Sequence, residues 1–74
     1  MEKEDFREML SHNLPMTIVS SSGEKYEVPH PDFVHLAPEQ GTAVIVFKEK
    51  GIGFNLLDLS TISDVQLSSA ERAI

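Results

Sequence analysis

The stretch Thr42-Ala43-Val44-Ile45-Val46-Phe47 contains the longest apolar run in the chain, and it decides the fold. Its β-branched and aromatic residues, its short length and the nearby glycines at positions 41 and 51 favour a strand over a helix. No polar residue alternates with the apolar ones, a pattern typical of a strand that is covered on both sides. We therefore predict a central strand over residues 42–47, buried on both faces.

The rest of the chain supplies four further strands around this centre. Short runs with apolar residues at alternate positions, bounded by turn residues, predict strands at residues 16–20, 25–28, 54–58 and 63–67. Gly23 lies late in the polar loop between the first two strands, where a hairpin often needs a residue with positive φ. These two strands are therefore expected to pair as an antiparallel hairpin.

The predicted strand over residues 54–58, with the residue that follows it, carries leucines on both of its faces. Leu56, Leu57 and Leu59 fall on both parities, so either a β-bulge lies near Leu56 and Leu57 or both faces of this strand are covered. The cover is either the N-terminal helix or a second protein chain, because large exposed apolar patches mark interaction sites. These three leucines are the candidate interaction surface.

Two helical segments accompany the strands. Phe6, Met9 and Leu10 follow i, i+3, i+4 spacing and form one apolar stripe on a helix over residues 4–12, which ends before Pro15. A helix this short is unstable alone, so it is expected to pack on the sheet. Proline is favoured at the first helical position, and a single helical turn is therefore predicted from Pro31 to about Leu36.

The order of these elements predicts an α+β, β-rich fold. We expect a single domain over residues 1–67, in which the N-terminal helix is followed by a strongly bent, mostly antiparallel five-strand sheet. The sheet would form a small, partly open barrel, because closure hides sheet edges that otherwise promote aggregation. Residues 68–74 contain helix formers, but too few for a stable helix, and are expected to be a partly ordered tail.

Size and charge narrow the classes of function. A chain of 74 residues without cysteine has a small core and no disulfide, so association with another chain is one route to stability. Twelve acidic and six basic residues give a net charge of −6, whereas nucleic-acid binding depends on clustered Lys and Arg. The acidic N-terminus is not followed by the apolar segment of a secretory signal, and no apolar run has the roughly 20 residues of a membrane span. We expect a cytoplasmic protein with neither membrane nor nucleic acid as its partner.

One group of residues could bind a metal. His30, Asp32 and His35 are close in sequence, and Asp32 and His35 would be i and i+3 on the predicted turn. Zinc sites usually need three or four convergent ligands, whereas Asp32 at the start of a turn and histidines that bond nearby backbone explain the pattern more simply. We therefore predict no metal and no cofactor, and keep these three residues as the weak candidates.

The sequence contains no recognisable catalytic motif. The serines at positions 20–22 are explained by turn formation, since no histidine is placed by the sequence to act as their base. Gly51-Ile52-Gly53 lies between two predicted strands, without the following helix that a phosphate-binding loop needs. The expected function is therefore not enzymatic, and no small-molecule substrate is indicated.

The run Ser22-Gly23-Glu24-Lys25-Tyr26-Glu27-Val28-Pro29-His30-Pro31-Asp32-Phe33, with residues 44–47 and 57–65, resembles a group of small bacterial proteins. The resemblance covers about residues 16–67, and its most specific part is the Tyr-x-Val-x-His-Pro-Asp-Phe corner. It implies a fold and no activity. A looser similarity, in element order alone, links the chain to Sm-like small β-barrels, which form rings through edge strands and commonly bind RNA.

These observations favour a non-enzymatic protein-interaction or assembly module, whose partner is another protein or a second copy of the chain. The first alternative is an Sm-like nucleic-acid-binding protein, which the resemblance implies but the acidic charge opposes. The second is a metal-binding protein that uses His30, Asp32 and His35.

Overall fold

The computed structural model describes residues 1–48 and 52–68. Within these residues the chain begins with one helix and continues with six short strands, interrupted by two 3-10 turns. The elements are α1 (Lys3–Ser11), β1 (Met16–Ser20), β2 (Lys25–Val28), a first turn (Pro31–Phe33), β3 (Val34–Leu36), β4 (Ala43–Phe47), β5 (Phe54–Asp58), a second turn (Leu59–Thr61) and β6 (Ile62–Leu67).

The strands form two antiparallel sheets of three strands each. Sheet 1 has the order β2-β1-β6, and sheet 2 has the order β3-β4-β5. The prediction of one bent five-strand sheet is therefore wrong, and the strands within residues 1–48 and 52–68 do not close into a barrel. The reason is that the second 3-10 turn redirects the chain after β5, so that β6 pairs with β1 in the other sheet.

Strand β3 replaces most of the helical turn that was predicted from Pro31 to Leu36. The His30 side chain caps the start of the turn by accepting the backbone N–H of Asp32, and the turn ends at Phe33 because Val34 is already extended. Val34 lies opposite Val46 and Leu36 opposite Val44 in an antiparallel ladder. The β-branched Val34 and the alternation of Val34, His35 and Leu36 suit an edge strand better than a helix.

The core lies between the inner faces of the two sheets and the helix. Phe6 is fully buried in it, and Met9 and Leu10 pack against it, which confirms the predicted apolar stripe of α1. Both sheets and the second 3-10 turn contribute the other buried apolar residues: Met16, Ile18, Val28, Val34, Val44, Val46, Leu59, Ile62 and Val65.

Strand β4 is the middle strand of sheet 2, but it is not buried on both faces. Val44 and Val46 point into the core, whereas Ile45 is half-buried and Phe47 is 41% exposed. The prediction of a strand covered on both sides is wrong at this point, because α1 and sheet 1 lie on the inner side of sheet 2. Residues 1–48 and 52–68 contain one short helix and so provide no second layer for the outer side.

The bulge that was one of the two alternatives for Leu56 and Leu57 is absent from β5, whose pairing with β4 is regular from Phe54 to Asp58. The register shift occurs in sheet 1, where β6 passes Val19 and Ser20 of β1. The Ser63 hydroxyl bonds the carbonyl oxygens of these two residues there. This shift allows both Ile62 and Val65 to face the core.

Within the described residues, α1 and the two 3-10 turns are too short and too polar for any of them to cross a bilayer. Ser68 donates its backbone N–H to the Pro15 carbonyl oxygen at 2.8 Å. The rest of the predicted tail, residues 69–74, and residues 49–51 of the β4–β5 connection lie outside the described residues.

Candidate functional site

The outer face of sheet 2, here called the apolar face, is the most distinctive surface of the molecule. The strand register places His35, Ile45 and Leu56 side by side across the three strands, and Phe47 beside Phe54. Successive side chains of a strand alternate between its two faces, so these residues all point away from the core. The complete face consists of His35, Ala43, Ile45, Phe47, Phe54, Leu56 and Asp58.

Three rings form a ridge at one end of the apolar face. The ring centroids of His35 and Phe47 lie 5.3 Å apart with the planes at 89°, and those of Phe47 and Phe54 lie 6.2 Å apart at 64°. Such edge-to-face contacts are a favoured geometry for aromatic pairs. Phe54 is 54% exposed, and Leu56 beside it is 65% exposed. The ridge is therefore held in place by its own contacts while much of its surface faces solvent.

The opposite sheet provides an internal comparison. The outer face of sheet 1 carries Thr17, Val19, Lys25, Glu27, Asp64 and Gln66. The Thr17 hydroxyl donates to the Glu27 carboxylate at 3.0 Å, as expected for a solvated face. Both sheets bury an apolar inner face, but only sheet 2 also has an apolar outer face. Packing of the core therefore does not explain the residues of the apolar face.

A shallow cavity of about 270 Å³ opens on the apolar face between His35 of the ridge and the Ala43 end of β4. Its lining is His35, Leu36, Ala37, Pro38, Ala43 and Ile45. The turn beside it is tight, because Ala37 donates its N–H to the Ala43 carbonyl oxygen and Gly41 donates to that of Pro38, both at 2.9 Å. The cavity is thus an apolar recess with a rim fixed by backbone hydrogen bonds.

Asp58 marks the cavity end of the face, opposite Ala43 in the register. Its carboxylate accepts hydrogen bonds from the Ser60 backbone N–H at 2.9 Å, the Ser60 hydroxyl at 2.8 Å and the Thr42 hydroxyl at 2.9 Å. These donors favour the charged form, and the pKa of Asp58 is lowered, the Ser60 backbone bond being the largest cause. Asp58 is therefore a fixed negative charge at the border of the apolar face.

The three leucines of the predicted interaction surface do not share one environment. Leu59 is 3% exposed and belongs to the core, and Leu57 packs against the core from the inner side of β5. Leu56 is the member of the three that is exposed, and it lies on the apolar face. The sequence interpretation missed Phe47 and Phe54. The sequence contained one signal for their exposure. A chain of this size cannot cover both faces of a strand whose side chains are apolar at odd and even positions alike.

The three candidate metal ligands divide between a turn and the apolar face. The His30 Nδ1 atom accepts the Asp32 backbone N–H at 3.0 Å and lies 3.5 Å from the Asp32 carboxylate, so both residues stabilise the first 3-10 turn. His35 is in β3 and contacts Phe47. Within the part of the chain that the structure describes, no three His, Asp or Glu side chains are grouped in a way that could hold a metal ion.

A second cavity, the serine cluster and the glycine pair are the remaining candidate sites. A cavity of about 420 Å³ between α1 and the end of β6 is lined by Met1, Asp5, Glu8, Met9, His12 and Leu67, but its acidic and histidine side chains are exposed to solvent. Ser20 is buried in the β1–β2 hairpin, where its hydroxyl accepts the Glu24 backbone N–H at 3.2 Å and bonds the Ser22 hydroxyl at 2.8 Å. Of the glycine pair at 51 and 53, Gly51 lies outside the described residues.

The apolar face offers exposed rings, aliphatic side chains and a recess, and the hydrogen bonds of its Asp58 stabilise the fold. No family model matches the chain, and neither a curated protein nor a solved structure matches it significantly.

Proposed function

We propose that the protein is a protein-interaction or assembly module that docks through the apolar face. The observation that carries this proposal is the contrast between the two sheets: sheet 1 has a polar outer face, and sheet 2 exposes Phe47, Phe54 and Leu56. Contiguous exposed apolar surface is unfavourable in water unless another surface covers it. We propose that the surface of a second protein covers the apolar face.

The size of the patch indicates that its exposed side chains alone bind weakly. With about 150–250 Å² for a whole aromatic side chain, Phe47, Phe54 and Leu56 together expose roughly 300 Å². At about 25 cal/mol per Å², covering them contributes about 7 kcal/mol before the cost of association, which is about 4–15 kcal/mol. The three side chains alone give weak binding, and Ile45 and the walls of the recess must add contacts. We therefore expect an association that depends on concentration.

The charge of the face favours a protein partner over a phosphate backbone. None of the residues of the apolar face is a lysine or an arginine, and the whole chain carries a net charge of −6. Nucleic-acid affinity comes largely from Lys and Arg that displace counterions. Aromatic and aliphatic side chains, in contrast, are typical of the centre of protein interfaces.

Photo-crosslinking tests this proposal. A benzoylphenylalanine in place of Phe54 reports contacts of the apolar face, and the same residue in place of Gln66 reports contacts of the polar outer face of sheet 1. After irradiation in an extract of the host cell, we expect a discrete protein adduct from position 54 and none from position 66. No adduct at position 54, or equal adducts at both positions, would remove the apolar face as the docking surface.

A further inference from the structure

We infer that β5 is a pairing edge: it adds β5 of a second copy of the chain as the next strand of sheet 2. The contact is made by the backbone at the side of the sheet, so it leaves the apolar face uncovered and is independent of the docking proposed above. Three features support this pairing: open backbone groups on β5, blocked edges on the other outer strands, and the position of Asn55.

The backbone groups of β5 that face away from β4 belong to alternate residues. Lys48 donates its N–H to the Gly53 carbonyl oxygen at 3.3 Å, and Leu59 donates to that of Thr42 at 2.9 Å. Bonded and non-bonded pairs alternate along an antiparallel ladder, so the odd-numbered residues of β5 bond β4. The N–H and carbonyl groups of the even-numbered residues therefore face outward.

The outward residues of β5 are Phe54, Leu56 and Asp58. The Asp58 carbonyl oxygen already accepts the Thr61 hydroxyl at 2.7 Å. The backbone groups of Phe54 and Leu56 bond no other strand or loop within the part of the chain that the structure describes, and both side chains are more than half exposed. Two donors and two acceptors are therefore open to an added strand, which is how a sheet edge binds an extended chain.

The outer strands β6 and β3 have blocked edges. By the same alternation, Val65 of β6 and Val34 of β3 face away from their partner strands. The Val65 N–H is taken by the Asp64 carboxylate at 2.9 Å, and the Val34 N–H by the Pro31 carbonyl oxygen in the first 3-10 turn. A strand that approached either edge would find these donors occupied.

Strand β2 protects its edge with charge. Lys25 and Glu27 are its outward residues, and Pro29 follows it directly. Charged residues, prolines and bulges are the usual means by which proteins keep a sheet edge from pairing. Residues 54–57 of β5 contain none of them. Among the described strands, β5 is therefore the one whose outer edge is ready to pair.

Asn55 lies at the centre of the open stretch, between Phe54 and Leu56. Like Leu57, it points to the inner side of β5, where it is half-buried. Its amide makes no hydrogen bond to another described residue. An amide has both a donor and an acceptor, so two amides that meet across a two-fold axis satisfy each other. A single asparagine at an apolar position fixes register in a similar way in coiled coils.

A two-fold axis through Asn55 brings all these groups together. It sets the two β5 strands antiparallel, with Asn55 opposite Asn55 and Phe54 of each copy opposite Leu56 of the other. Each pair of Phe54 and Leu56 exchanges two hydrogen bonds, so every open group of both residues is used in both copies. The ring and the leucine also pack as a cross-strand pair. A second copy supplies this spacing and the matching amide by symmetry, whereas a strand of another protein would have to carry both.

The pairing ends at two copies. The opposite edge of sheet 2 is β3, which is blocked, so each copy has one edge to offer and the two-fold pair uses both. The result is one continuous sheet in the order β3-β4-β5-β5-β4-β3. The two Asp58 carboxylates lie about 20 Å apart, at opposite ends of the paired strands. Two copies of net charge −6 still repel each other, so added salt should strengthen the pairing.

The first test measures mass by light scattering as the protein concentration rises from about 10 μM to about 1 mM, which brackets weak and moderate dissociation constants. We expect the mass to rise from that of one chain towards that of two, and no further. Leu56→Pro removes an outward N–H and leaves the bonds to β4 intact, so it should weaken association more than about tenfold. Leu56→Ala keeps the N–H and should weaken association less.

Glu27→Pro is the matched control, because it removes an outward N–H from the edge of β2 and should associate like the unchanged chain. Circular dichroism verifies that the variants are folded. An unchanged chain that stays monomeric at every concentration overturns the pairing. A folded Leu56→Pro variant that associates as well as Leu56→Ala also overturns it.

The second test places charges on the two-fold axis. Asn55→Asp and Asn55→Lys each set like charges directly opposite each other, so each variant should associate several-fold more weakly than the unchanged chain. An equimolar mixture joins Asp with Lys and should restore association. Both variants keep the backbone donors of β5, so this test decides the matter if Leu56→Pro does not fold. A mixture that associates no better than its components overturns the axis through Asn55.

The crosslinking experiment separates this pairing from the proposed function. An adduct of twice the chain mass from position 54 supports the β5 pair, whereas an adduct of any other mass supports docking of a different protein on the apolar face. Failure of the pairing leaves the docking proposal in place, and a chain that pairs but captures no other protein supports the pairing alone.

Discussion

Asp58 stabilises the point where the chain leaves sheet 2 and turns towards sheet 1. One carboxylate oxygen accepts both the backbone N–H and the hydroxyl of Ser60, and the other accepts the Thr42 hydroxyl. Capping of this kind satisfies an N–H donor that a short turn cannot pair internally. The same side chain therefore ties the second 3-10 turn to the start of β4.

Substitution of Asp58 by Asn should alter the pH dependence of stability. The folded-state pKa is lowered, so the stabilisation is complete above the unfolded value of about 3.9 and is lost as the pH falls through the folded-state value. We expect Asp58→Asn to lower Tm at pH 7, and the difference from the unchanged chain to shrink as the pH falls from about 5 to below 3. Thermal melts across this range measure it. A difference that is constant with pH would contradict the assignment.

Gly41 is required by close packing in the turn between β3 and β4. A Cβ atom at this position would lie 2.6 Å from the Ala37 Cβ atom and 3.2 Å from the Pro38 carbonyl oxygen. Gly41→Ala should therefore lower the free energy of unfolding by about 1–3 kcal/mol, the range of overpacked sites. Ala37→Gly removes the nearer atom, so the double variant should recover part of the loss. Urea unfolding of the four chains of this cycle gives the coupling, and additive effects would refute the contact.

At the scale of elements, the two sides of β4 have different roles. Val44 is fully buried, whereas Ile45 is half-buried on the apolar face. The valine contributes to the core of the isolated chain, and the larger isoleucine contributes mainly to surface that a partner would cover. Size alone would predict the opposite order of importance for stability.

Alanine substitutions on β4 test this division. Val44→Ala should cost about 2 kcal/mol of unfolding free energy, from two buried methyl groups and the space they leave. Ile45→Ala should cost about 1 kcal/mol or less at low concentration, because part of its side chain is already in contact with water. Chemical unfolding at a concentration below self-association is the measurement. A larger loss for Ile45→Ala would show that the outer side of β4 is covered within the chain.

Among the described residues, most acidic side chains lie on α1, on sheet 1 and in the loops, whereas the apolar face carries one, Asp58. This distribution permits contact through the apolar face while the remaining surface stays charged and hydrated. The same distribution of charge distinguishes the proposed interaction module from an Sm-like nucleic-acid-binding protein.

The net charge makes a direct prediction for RNA. Short RNA oligomers should cause no mobility shift with this protein at physiological salt, because a chain of net charge −6 with scattered cations gains little from counterion release. Lys48→Glu should leave that result unchanged. Binding of the unchanged chain that weakens steeply as salt is added would favour the nucleic-acid alternative instead.

Several elements were predictable from local spacing. The apolar stripe of α1, the bounds of β1 and β2 and the extended conformation of residues 43–47 follow from periods of 3.6 and 2, from glycine in a hairpin and from proline at a helix end. Strand β3 was not predictable in this way, because an alternation over three residues is too short to identify a strand. Its conformation depends on pairing with β4, which is a contact between distant parts of the sequence.

The sequence by itself determined the N-terminal helix, most of the strands and which side chains are apolar, because hydrophobic period, capping and turn residues act within a few positions. Only the tertiary structure decided that the strands divide into two sheets and that α1 and sheet 1 both pack on the inner side of sheet 2. Ile45, Phe47, Phe54 and Leu56 are as apolar as the core residues beside them, and they face outward because no other part of the described chain packs over that side. Whether an apolar side chain is buried depends on what lies opposite it in space, and that information is not contained in the spacing of its neighbours.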